Sequence, residues 1–284
     1  GVAEAIGHGF AALLAERGIP GAVAVGRDNR PSGDALRDAL VAGLTAAGRS
    51  VVDIGVVPTP LLYWTLHHEP VAAGIQITGS HNPPEYNGFK ICVGTSSLHG
   101  EGLQRLHALA SASRPPAAAA GTVRHVAVIE RYLDDIVGRI GPLARRLRIV
   151  YDCGNGASAL VAPQLFARLG VQATGLFTES DGTFPNHHPD PTVPANLADC
   201  IAAVRRDGAF DGDGDRIGVV DGAGRIIWGD HLLILYARDV LARTGTGQPI
   251  IFDVKCSQAL TDAITAAQGV PVMWKTGHSL IKEK

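Results

Sequence analysis

The sequence predicts an α/β protein built from consecutive domains of one design, each a mixed or parallel sheet covered by helices. Short apolar runs ending in glycine alternate with longer segments of helical periodicity along the whole chain. The composition is 46% hydrophobic but only 5% aromatic, with 35 glycines, which suits strands of small side chains joined by tight turns. Length alone, at 284 residues, suggests about two domains, yet the alternation restarts twice and marks three related units.

In the first unit, residues 3–17 place Ala, Ile, Phe and Leu at helical spacing, and Gly18 stops the helix. Strands follow at 22–26, 50–54 and 72–78, with helices at 34–47 and 61–67, the latter beginning after Pro60. The stretch 112–121 is rich in alanine and carries Pro115 and Pro116, as a linker or a surface loop does. A helix at 126–140 aligns Ile129, Leu133, Ile136 and Ile140. The pattern restarts with a strand at 147–153 and a helix at 159–170, then a strand at 217–221. The third unit shows a helix at 231–243, a strand at 250–254 and a helix at 258–268, and the chain ends at Lys284. The domains so delimited are 1–121, 122–224 and 225–284.

The formal net charge is −2 and the basic residues are dispersed, which argues against a nucleic-acid partner. The one local basic cluster, Arg145, Arg146 and Arg148, reads as a solvated rim before a strand. Cys92, Cys153, Cys200 and Cys256 lie far apart without CxxC spacing, so a reduced, cytoplasmic setting is expected. No apolar run approaches the roughly 18 residues of a membrane span.

Two segments carry chemistry. In Thr78–Ile91, TGSHNPPEYNGFKI, a strand ends at Thr78 and Gly79 lets the backbone turn, which presents Ser80 at the strand's carboxyl end, where open α/β sheets bind ligands. His81 is placed to exchange a proton, Lys90 to stabilise phosphate charge, and Pro83 and Pro84 stiffen the loop. In Phe210–Arg216, FDGDGDR, Asp211, Asp213 and Asp215 alternate with glycine and can converge on one ion. Oxygen-only ligation favours Mg²⁺ or Ca²⁺ over zinc. An EF-hand is disfavoured, because Arg216 and Gly222 stand where its glycine and bidentate glutamate belong. His187 and His188 invite a metal site too, but no cysteine or third histidine lies at ligand spacing, and a proline-stiffened structural loop is expected there. Lys255 follows a strand in DVKCS, and His278 lies in KTGHS.

Together these strings resemble the α-D-phosphohexomutase family, in its bacterial phosphomannomutase/phosphoglucomutase branch. VGRDNRPSG (25–33), DIGVVPTP (53–60), the serine segment, DCGNGAS (152–158), DGTFPNHHPDP, FDGDGDRIGVV, DVKCS and WKTGHSLIK occur in that family's order. The resemblance implies that Ser80 is a phosphoserine, and that Asp211, Asp213 and Asp215 hold Mg²⁺ with a phosphoserine oxygen. It implies that His81, Lys90 and Arg216 assist proton transfer and phosphate charge, while Lys255 and His278 contact the sugar. The implied activity interconverts hexose 1-phosphate and hexose 6-phosphate of mannose or glucose through a hexose 1,6-bisphosphate, in a monomer whose partners are small sugar phosphates rather than membranes or nucleic acid. Phosphoglucosamine mutase is the related alternative, and a non-catalytic sugar-phosphate-binding fragment the alternative of another class.

Three departures from that pattern shape the expectations. The family's Arg/Tyr/Asp-rich opening is missing. The third domain is expected to be incomplete and a fourth absent, so these residues alone are expected not to complete a catalytic cycle. The segment before Asp211 leaves no room for the usual buried strand, and a break in the sequence is expected near Ala209–Phe210.

Overall fold

A computed structural model describes residues 1–112, 117–207, 219–277, 280, 281 and 284. The first unit holds α1 (Val2–Glu16), β1 (Ala22–Arg27), α2 (Gly33–Ala46), β2 (Val51–Val56), α3 (Thr59–His68), β3 (Val71–Ile77), β4 (Phe89–Val93), β5 (Ser96–Ser97), α4 (Glu101–Ser111) and β6 (Val123–His125). The second holds α5 (Ile129–Ile140), β7 (Arg148–Asp152), α6 (Ala162–Arg168), β8 (Gln172–Leu176), α7 (Ala198–Asp207), β9 (Val219–Val220) and β10 (Ile226–Ile227). The third holds α8 (Gly229–Thr244), β11 (Pro249–Asp253), α9 (Gln258–Ala266) and β12 (Val270–Trp274).

The first sheet is mixed, in the order β5-β4-β3-β1-β2-β6. β1 pairs parallel with both β2 and β3, and β2 with β6, while β4 runs antiparallel to β3. Alternation along the strands feeds two cores. Val23, Val25, Ile75 and Ile77 face α1, α2 and α4, whereas Ala24, Val52 and Ile54 face α3 and α5. The chain leaves β1 toward β2 and then crosses back to β3. The loops after β1 and β3 therefore part at a topological switch point, where open α/β sheets bind ligands. β7 pairs parallel with β8 and β11 with β12 in the later units.

Most elements match the expected spans within a few residues. The helix expected at 159–170 is instead a 3₁₀ turn over Ala157–Leu160 followed by α6. Pro163 explains the break, because its ring lacks an N–H and clashes with the carbonyl of the preceding turn. The helix expected from 126 starts at Ile129, because 123–125 form β6 against β2. The first sheet thus reaches past position 121. The alanine-rich stretch is anchored rather than free at its far end. Ala117 and Gly121 donate their N–H groups to the carbonyls of Ala46 and Thr45 in the last turn of α2. Of the strand expected at 217–221, residues 219 and 220 form β9, and the expected break near Ala209–Phe210 lies outside the described residues. No disulfide joins any of the four cysteines, and no helix among the described residues is long and apolar enough to cross a membrane.

α1 and α2 approach through Gly7 and Gly43. A Cβ at Gly43 would lie 2.1 Å from the Glu4 carbonyl, and one at Gly7 2.4 Å from that of Leu40. Both obstacles are backbone, so neither can swing aside. Gly43→Ala gains about 1 kcal/mol of helix propensity but forces the helices apart. We expect a net loss of about 2 kcal/mol, measured by urea unfolding; a stabilised variant would contradict this close crossing.

Candidate active site around Ser80

Parallel pairing sets the positions. Arg27 at the end of β1 is in register with Val56 on β2 and Ile77 on β3. Asp28, Thr59 and Ser80 therefore emerge at one carboxyl edge of the sheet. β4 folds back beside β3, with Lys90 opposite Gln76. The Lys90 ammonium lies 3.4 Å from the Thr59 hydroxyl, so the cation sits at the rim of the same edge.

Ser80 has φ +52°, in the left-handed region that a serine seldom adopts. Its N–H donates to Thr78 Oγ1 at 2.9 Å, and Thr78 Oγ1 donates to Asp28 Oδ2 at 2.7 Å. Gly79 is required beside it, since a Cβ there would lie 2.6 Å from both the Arg30 guanidinium carbon and the Tyr86 carbonyl. His81 Nδ1 is 3.4 Å from Ser80 Oγ, a distance that must shorten before a proton can pass. Ser80, His81 and Lys90 are half-buried, so the hydroxyl is supported but reachable.

The second unit faces this edge. After β7, Asp152–Ser158 form a tight loop, and Cys153, Ala157, Ser158, Phe184 and Pro189 line a cleft with Asp28, Thr59, Thr78 and Ser80. Asn29 joins the units, donating to the Asn155 carbonyl at 2.7 Å and to Ser180 Oγ at 3.0 Å. A Cβ at Gly182 would lie 2.1 Å from the Asn29 carbonyl, which shows how closely the two loops meet.

The structure places His81 beside Ser80, and Lys90 against Thr59, which lines the cleft with Ser80. Asp211, Asp213, Asp215, Arg216 and His278 lie outside the described residues. Lys255 is exposed in the turn after β11, its N–H donating to Asp253 Oδ1 at 2.8 Å. Sequence reasoning missed Asp28, Asn29, Arg30, Thr59, Thr78 and Phe184. For Asp28, Asn29 and Arg30 the signal was the string VGRDNRPSG, which aligns polar side chains directly after a strand.

His187 serves the loop, as expected. Its Nε2 lies 3.0 Å from buried Asp152 Oδ2 and its Nδ1 3.0 Å from the His188 carbonyl. With both nitrogens facing oxygens, the imidazolium is the form that satisfies both. The hydrogen bond to Asp152, against an opposing effect of burial and with help from the His188 carbonyl, raises its pKa from 6.5 to about 9. A raised pKa means that the folded state holds the proton more tightly. This contribution is complete below pH 6.5 and is lost as pH rises through about 9. We expect stability to fall by about 1 kcal/mol across that window after solvent screening, as seen in denaturant unfolding at stepped pH. His187→Gln should remove the dependence; an equal slope in both proteins would refute the pair.

Comparison with known proteins gives the family of the chain. The model of phosphoglucomutase/phosphomannomutase alpha/beta/alpha domain I matches residues 1–105, that of domain II matches 130–224, and that of domain III matches 228–284. A phosphomannomutase/phosphoglucomutase of Pseudomonas putida is 48% identical over 98% of this chain and 60% of its own length. A phosphoglucomutase of Neisseria gonorrhoeae is 46% identical over 98% of this chain and 61% of its own. The chain thus spans about 60% of the length of these curated relatives. The crystal structure of a phosphoglucomutase/phosphomannomutase family protein from Burkholderia thailandensis superposes with a TM-score of 0.93 at 42% identity, covering 99% of this chain and 64% of that one. At 17% identity, the N-acetylphosphoglucosamine mutase of Aspergillus fumigatus, solved with GlcNAc-6P and magnesium, shares the fold at a TM-score of 0.55, over 96% of this chain and 48% of that one. With three successive domain models covering most of its length in order, the chain belongs to the phosphoglucomutase/phosphomannomutase family of α-D-phosphohexomutases, in its bacterial branch.

Proposed function

We propose that the protein carrying this chain is a phosphohexomutase that interconverts hexose 1-phosphate and hexose 6-phosphate of mannose and glucose, with Ser80 as phosphate carrier. The observation that carries this reading is Ser80 itself. It stands at the carboxyl edge of the sheet in a braced left-handed conformation, with the His81 imidazole beside it and the Lys90 ammonium against Thr59, which lines the same cleft. The names of the relatives from Pseudomonas putida and Neisseria gonorrhoeae support the substrate class.

In this reading phosphoserine 80 gives its phosphoryl group to a hexose monophosphate, the resulting hexose 1,6-bisphosphate turns over, and Ser80 Oγ takes back the other phosphoryl group. Lys90 and Arg216 balance the charge on the phosphoryl oxygens, and His81 relays the proton of the attacking or leaving hydroxyl. Lys255 and His278 hold the sugar. The carboxylates of Asp211, Asp213 and Asp215, with an oxygen of the Ser80 phosphate, would supply the all-oxygen set that a hard cation prefers, and magnesium appears in the Aspergillus neighbour. When bound, Mg²⁺ would neutralise phosphate charge. Phosphoryl transfer depends mainly on positioning and charge neutralisation, and this assigns one domain to each part: 1–121 to the serine, 122–224 to the metal loop and 225–284 to the sugar. Four cysteines without a disulfide fit a reducing, cytoplasmic setting, and a monomer is sufficient for this chemistry.

The test uses the full-length protein. Ser80→Ala removes the covalent route and is expected to lower the rate of hexose phosphate interconversion by several orders of magnitude. Near-normal turnover in the variant would overturn the assignment. Net release of inorganic phosphate by the unaltered protein, without isomerisation, would make it a phosphatase instead.

A further inference from the structure

Arg30 is the most heavily used buried charge in the molecule's first unit. It is 3% exposed. Its Nε donates to Asp28 Oδ2 at 3.1 Å. Nη1 donates to the carbonyls of Pro83 and Tyr86, and Nη2 to those of Ser80 and Asn82, each at 2.7 Å for the latter pair. A guanidinium has five N–H donors in a fixed plane, and these five bonds use all of them. The loop after β3 has thus turned four of its carbonyls inward onto one ion. Residues that would otherwise form a mobile proline-rich turn are wrapped around a rigid template.

The template acts on Ser80 from both sides. Arg30 Nη2 takes the Ser80 carbonyl, and Thr78 Oγ1 takes its N–H. Asp28 links the two clamps, since its Oδ2 accepts from both Arg30 Nε and Thr78 Oγ1 and its Oδ1 from the Arg30 backbone N–H. A serine at φ +52° relaxes to negative φ once it is released, and that rotation resets the direction in which its side chain points. The last face of the guanidinium is covered from the second unit, where the Phe184 ring centroid lies 5.1 Å from its central carbon. No other aromatic ring is described against Arg30.

We propose that Arg30 is a positioning residue that holds Ser80 Oγ in its reacting place, and that Phe184 makes this hold depend on the docked second unit. The catalytic half of the claim rests on Ser80 as phosphate carrier, while the structural half stands without it. Lysine at position 30 keeps the charge and the Asp28 partner but not the fork that spans four carbonyls. This separates positioning from simple burial of a cation.

The experiment compares full-length wild type, Arg30→Lys and Phe184→Leu by hydrogen exchange of the 78–88 segment and by steady-state kinetics. For Arg30→Lys we expect amide exchange in 79–87 to rise about tenfold, while α1, α2 and β1 stay protected. A displaced nucleophile should lower kcat about 100-fold, with KM within about threefold of wild type. Phe184→Leu should shift both readouts in the same direction by a smaller factor, although it lies in the other unit. Unchanged exchange and near-normal kcat in Arg30→Lys would overturn the proposal. So would exchange that rises evenly across the first unit, which marks a general loss of stability. If Arg30→Lys does not fold, Phe184→Leu decides by the same two criteria. If wild type interconverts no hexose phosphate, the mutase reading fails, and the exchange data alone decide whether Arg30 holds the loop.

Discussion

A serine at positive φ stays there only if its surroundings leave it no alternative, and the surroundings of Ser80 are built for that. The cost of the conformation is on the order of 1 kcal/mol, less than the bonds that hold its two flanking peptide groups. Those bonds come from Thr78 on one side and Arg30 on the other, both tied to Asp28. Asp28 and Thr78 follow strands that are parallel neighbours in register, β1 and β3. The geometry around Ser80 thus descends directly from strand pairing. Had β3 paired elsewhere in the sheet, Asp28 would not reach Thr78, and nothing would bring Arg30 into the loop.

The second unit is part of this device rather than an appendage. Asn29 grips the Asn155 carbonyl and Ser180, and Gly182 has no side chain because Asn29 occupies the space. Asn155, itself at φ +57°, anchors Asn186 through its side-chain carbonyl. His187 and Asp152 fasten the same loop to the end of β7. Two sheets thus present their carboxyl edges to one cleft, joined beside it by the hydrogen bonds of Asn29 and by the Phe184 ring over Arg30.

Much of this was legible in the sequence. Helix and strand periodicity located the elements of the first unit because each buries one face on a core. Glycine at 79 announced a close backbone turn, and the structure leaves no room there for a side chain against Arg30 and Tyr86. What periodicity could not show was anything decided by contact at long range. β6 is three exposed residues whose strand character comes only from pairing with β2. α6 is broken from its 3₁₀ turn by a single proline inside an apolar helical pattern. Arg30 reads as an ordinary charged loop residue, and its burial emerges only when 50 residues later the chain returns to wrap it. The histidine pair was readable as structural from ligand counting, but its partner Asp152 lies 35 residues away in sequence.

The central claim is that this braced hydroxyl accepts and returns a phosphoryl group. Its most direct measurement is site mapping of phosphate by mass spectrometry, after the full-length, dephosphorylated protein has been incubated with glucose 1,6-bisphosphate and Mg²⁺. The expected result is a single phosphoryl group on Ser80, removed again on addition of excess hexose monophosphate. Phosphate on another residue, or none at all in a protein that still interconverts the two hexose phosphates, would contradict it.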